Sequence, residues 1–187
     1  MGLLQDIAAS IGGDDLKRLS AGQANFDDPQ SNDQQNLQEL IKNIDPQKLQ
    51  QILAQTAQKT NPQEYSDHIT PGVGGTNPLG NLSAGALGMI AAALVNHLKN
   101  AASSSAPTGS PLNNVPGLQS TDPKQMNADD VAAVARYTQQ NHPEAFGQAA
   151  TQIAQQQPAL LHSFMGKAAL AVGVAALASH FVKMDRH

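Results

Sequence analysis

A chain of 187 residues can bury a core without covalent staples, and having no cysteine it excludes disulfides, iron–sulfur clusters and cysteine-ligated zinc. A net charge of −4 with only 14% charged residues argues against the clustered basic face that nucleic acid requires. An aromatic content of 3% with no tryptophan argues against stacking sites for bases or sugars, so cores must be aliphatic and alanine-rich.

In chain order, Leu3, Leu4, Ile7 and Ile11 fall on one stripe of a short amphipathic helix that Gly12-Gly13 ends. The segment has no basic n-region and too short an apolar run for a secretory signal, so a cytoplasmic product, with peripheral membrane association as an alternative, is the expectation. Residues 14–32 read as a loosely held connection. From Asp33, the spacing of Leu37, Leu40, Ile41 and Ile44 predicts a helix that closes at Asp45-Pro46.

Proline is tolerated at the first helical position, and a preceding Asp or Asn can cap the turn. Asp45-Pro46, Asn61-Pro62 and Asn77-Pro78 recur every 16 residues, followed by Asp122-Pro123, His142-Pro143 and Gln157-Pro158. Each is a predicted helix start. Residues 101–121 are rich in Ser, Pro, Gly and Asn and read as a linker too polar to order itself. After it, Asn127 is the expected cap of a helix bearing Val131 and Val134, with Asp129 and Asp130 in its first turn.

Two stretches align without a gap. Ala54 to Tyr65 sets against Ala135 to Phe146, matching Ala54/Ala135, Gln58/Gln139, Pro62/Pro143 and the aromatics Tyr65/Phe146; Ala92 to Leu98 sets against Ala175 to Phe181. The expectation is an all-α protein of duplicated three-helix units packing as a helical bundle, with a short N-terminal amphipathic helix. Its divisions are residues 1–32, the first unit 33–100, the linker 101–121 and the second unit 122–187. Two such halves should pack by a pseudo-two-fold, apolar helix against apolar helix.

The apolar helices expected at 78–99 and 158–183 are the segments from which a function is read. Gly80, Ala84, Gly88 and Ala92 form a ridge of small residues in the first, and Ala171, Ala175 and Ser179 in the second, allowing another helix to approach closely. The two are read as a packing interface. The second also lies near the length that spans a bilayer, though Ala and Gly contribute little to insertion.

No catalytic, cofactor or metal grouping emerges. His97 and His180 are read as residues complementing helix ends, and His68, His142 and His162 as solvated single residues. Ser66-Asp67-His68 has the residue types of a hydrolase triad, but neighbours on a helix point apart. Gly72 to Gly75 lacks the pattern of a dinucleotide loop. The expected function is therefore non-enzymatic: a self-associating or protein-interacting helical protein, without cofactor or nucleic acid, its partner a second copy or another protein. The alternative is a membrane-associated protein that engages lipid through residues 158–183 and the N-terminal helix.

Overall fold

The computed structural model describes residues 9–26, 28, 30–70, 78–103 and 109–184. Within them the chain is an all-α helical bundle without strands. Its helices are α1 (Gly13–Ser20), α2 (Asp33–Asn43), α3 (Pro46–Lys59), α4 (Pro62–Ile69), α5 (Ala84–Ser103), α6 (Ala128–Asn141), α7 (Pro143–Gln156), α8 (Leu160–Met165) and α9 (Lys167–Met184). Residues 9–11 are also helical; Leu3, Leu4 and Ile7 of the expected N-terminal stripe lie outside the described residues.

Capping explains where three of these helices begin. The Asp45 carboxylate accepts the amides of Gln47 and Lys48 at 2.9 and 3.2 Å, and the Asn61 side chain accepts that of Gln63 at 2.9 Å. Asn127 and Asp130 form a reciprocal capping box at the start of α6. Each such cap is worth about 1 kcal/mol. Pro143 opens α7 without a side-chain cap. Three other prolines do not behave as expected: Pro78, Pro123 and Pro158 sit in turns. The first long helix therefore starts at Ala84, where the Ser83 hydroxyl accepts the Ala86 amide at 3.2 Å and the Ser83 carbonyl accepts that of Leu87 at 2.9 Å. The second is broken at Gly166, whose φ of 83° is left-handed, into α8 and α9.

The packing is reciprocal between the halves. α3 lies along α7 and α9, while its sequence counterpart α6 lies along α4 and α5, the counterparts of those two helices. Contacts among α3, α4 and α5 themselves are sparse. The matched aromatics meet where the halves cross: Tyr65 and Phe146 stand edge to face with centroids 5.3 Å apart, and Phe146 stacks on Phe164 at 4.7 Å. The closest approach is at Ala54 and Gly147, where a Cβ on the glycine would fall 2.7 Å from the Ala54 backbone nitrogen.

This corrects the expected packing of the two long apolar helices on each other. The order of contact runs α5, α7, α3, α9, α1, so the α7–α3 pair stands between the long helices. The physical reason is that α3 (Leu49, Ile52, Leu53, Ala57) and α7 (Phe146, Ala149, Ala150, Ile153) carry apolar faces of their own that also need cover. Placed centrally, they shield each other and one long helix apiece.

The described parts of two stretches read as loose are built into the fold. Leu16 and Leu19 of α1 are buried against α9, and the Arg18 guanidinium bonds to the fully buried Asp33 carboxylate at the start of α2. Leu112 and Val115 of the expected linker are buried in the core, Leu112 within a 3₁₀ turn, Pro111–Asn114, that packs on α5. Too polar to fold alone, residues 109–121 are held by two apolar anchors set into a surface the helices already supply.

Candidate interaction surfaces

Each long helix buries one face and shows the other. On α5, Ile90, Leu94, Val95 and Leu98 are buried toward α6 and α7. The opposite face presents Ala84, Gly85 and Ala92 exposed and Gly88 half-buried, and with Asp122, Pro123 and Lys124 it forms an open groove of about 450 Å³. Gly80 stands exposed in the turn before the helix, so the expected ridge begins at Ala84. On α9, Leu170, Val174, Leu177 and Phe181 are buried, while Ala168, Val172 and Ala176 form an exposed line one helical turn apart. Ala171, Ala175 and Ser179 flank that line, half-buried. Val172, 48% exposed, is the large hydrophobic residue that stands out to solvent among those described.

A wider, amide-lined groove of about 790 Å³ runs along α3 past Gln47, Gln51, Gln55 and Gln58, with Lys48 and Glu144 at its side. Of its charged side chains, Lys48 donates to Gln51 at 2.9 Å and Asp45 is taken up by the amides of Gln47 and Lys48. Among the described residues no group of three or more His, Asp or Glu is placed to hold a metal ion. Asp67 accepts the Gln63 amide at 2.8 Å while His68 turns to the Ser163 carbonyl at 3.2 Å, so the Ser66-Asp67-His68 run forms no relay. The glycine run at 72–75 lies outside the described residues.

The histidines depart from the expected roles. His97 sits well inside α5, not at its carbonyl end, with ring nitrogens 3.1 and 2.9 Å from the side-chain oxygens of Gln148 and Gln152 on α7. His180 lies just before the last turn of α9, and burial, with Lys48 and Lys183 nearby, moves its pKa below the usual histidine value. That favours the neutral ring, which does little for a helix dipole. His68 and His162, expected to be solvated, are half-buried where α4 meets α8. Nothing in their local sequence marks this pairing, because it joins residues 94 positions apart. Gly147 was more legible: with Ala150, Thr151 and Ala154 it makes a small-residue face on α7 of the kind that admits a close neighbour.

The features define a helical bundle with two outward strips of small and apolar residues, bordered by Asp122 and Lys124 on α5 and by Lys59 and Glu64 on α9. No helix among the described residues is long and apolar enough to cross a membrane. Comparison with family models, curated proteins and solved structures found no match.

Proposed function

We propose that this chain is a non-enzymatic interaction protein that self-associates through the outward faces of its two long helices. The observation that carries the reading is the α9 strip, where Val172 stands exposed between Ala168 and Ala176, with Lys59 and Glu64 at its border. Burying a valine side chain fully stabilises by about 1.5–3 kcal/mol, and the isolated chain forgoes roughly half of that at this position, where Val172 is 48% exposed. The α5 strip at Ala84, Gly88 and Ala92 adds a second smooth surface on the far side of the α7–α3 pair, and the low overall charge supplies little mutual repulsion.

Light scattering at micromolar concentrations tests it. Self-association predicts a mass above that of one chain, reduced toward it by Val172→Lys or Gly88→Leu. A strictly single-chain mass for the parent overturns the reading. The exposed α9 strip also favours a second reading, peripheral attachment to lipid. Flotation with anionic liposomes separates the two, because the self-association reading leaves the protein at the bottom of the gradient.

A further inference from the structure

The outward faces of the two long helices differ in relief. On α5 the floor is bare: a Cβ on Gly85 or Gly88 would meet no other group of the described residues within 4 Å, and with Ala84 and Ala92 these glycines line the groove of about 450 Å³. On α9 the outward surface carries a projection, because Val172 stands exposed between Ala168 and Ala176. One face thus lacks the side chain that the other presents. Helices pack by setting the ridge of one into the groove of another, and small residues in the floor let the two backbones approach closely.

The rims match as well. Asp122 and Lys124 border the α5 groove, and Lys59 and Glu64 border the α9 ridge. None of these four side chains is in an ion pair among the described residues, so each surface offers a neighbour one charge of each sign. Rim charges of this kind fix orientation more than they add affinity. Shape decides which surfaces meet: the hollow beside Val172 itself is only about 140 Å³, and groove against groove would leave both bare floors unfilled. We infer that the self-association proposed above, on which this inference rests, is head to tail, the α9 ridge of one copy seating in the α5 groove of the next.

The two faces lie on either side of the α7–α3 pair, so one copy can hold a neighbour at each. A pairing of unlike surfaces leaves a free ridge at one end and a free groove at the other, and growth continues until the assembly closes as a ring or runs on as a filament. Ridge paired with ridge would instead stop at two copies.

Two single substitutions separate these outcomes. Gly88→Leu fills the groove and leaves the ridge, while Val172→Lys spoils the ridge and leaves the groove. In sedimentation velocity the parent should form species larger than two copies as its concentration rises, and each variant alone should run as a single chain. Mixed in equal amounts, the two variants should form a species of two chains and nothing larger, since one intact ridge and one intact groove remain between them. Gly85→Leu, at an exposed position of the same groove, replaces Gly88→Leu if that variant loses far-ultraviolet circular dichroism. A mixture that stays single-chain while the parent associates, or a groove variant that associates as the parent does, overturns head-to-tail pairing and leaves self-association standing. A parent that is single-chain throughout overturns both.

Discussion

Two glycine-to-alanine substitutions, both within helices, should move stability in opposite directions. In an open helix the change gains about 1 kcal/mol by removing glycine's conformational freedom. At Gly173 of α9 that gain should be realised, because the new Cβ would meet Thr56 Oγ1 at 3.5 Å and the Leu53 side chain at 3.8 Å, ordinary contact distances. At Gly147 the Cβ would lie 2.7 Å from the nitrogen and Cβ of Ala54 and 2.8 Å from its Cα. Carbon contacts settle near about 3.5–4.0 Å, so α3 and α7 must separate by roughly an ångström along the central seam. Overpacking of this kind costs about 1–3 kcal/mol, and the upper end applies because the obstacle is backbone. Less the propensity gain, Gly147→Ala should lose about 1–2 kcal/mol, lowering Tm by about 2–8 °C, while Gly173→Ala should raise it by about 2–4 °C. Thermal unfolding followed by far-ultraviolet circular dichroism measures both. A Gly147→Ala protein that melts as high as Gly173→Ala would refute the close approach.

Asp33→Ala should release α1, because it removes the buried carboxylate that accepts from Arg18 and the Asn25 amide, leaving Arg18 only Asp15 and the Gln23 carbonyl within its own segment; a loss of about 2–4 kcal/mol is expected, read as faster amide exchange in residues 13–20. In the parent, burial would raise the Asp33 pKa, but hydrogen bonds from Arg18, Asn25 and Ser31 and the Arg18 charge hold it below 3.8. This stability is present above the unfolded value of about 3.9 and is lost as pH falls through the lower folded one, so acid titration of the same exchange should show α1 detaching only below about pH 4. Tyr65→Phe keeps the ring packing but strands the Phe164 carbonyl, and urea unfolding should show a loss of about 1–3 kcal/mol. Leu112→Ala should cost about 2–5 kcal/mol in the same assay, as for a core residue, whereas a residue in an unanchored linker would cost almost nothing.

Most helices were legible because their signals are local. Leu37, Leu40 and Ile41 mark one face of α2, and Asp45-Pro46, Asn61-Pro62 and Asn127 place three starts to the residue. α1 was overlooked although its signs are present: Leu16 and Leu19 one turn apart, with Asp14 and Asp15 in the first turn and Lys17 and Arg18 in the last. Leu112 and Val115 were hidden by the polar residues around them, since composition averages over the two side chains that matter. Whether a proline begins a helix or sits in a turn was not decided by the residue before it: Asp122 caps only a short turn, accepting the Lys124 amide at 3.0 Å. The duplication anticipated that Tyr65 and Phe146 are counterparts, but not that they touch. Which helix covers which is a long-range property, and the small-residue faces were assigned to α5 and α9 when the tightest contact belongs to α3 and α7. The contact of His68 with Gly166 depends on a break in what periodicity alone presents as one continuous helix.

The exchange of partners between the halves carries a cost in time. Ala54 waits for Gly147, 93 residues later in the chain, before the central seam can close. At a synthesis rate of about 5–20 residues per second that is an interval of about 5–20 s, during which Leu49, Ile52 and Leu53 have emerged but their cover has not been made. The nascent first half is thus the stage at which this protein is most open to capture by chaperones or to joining another chain's second half.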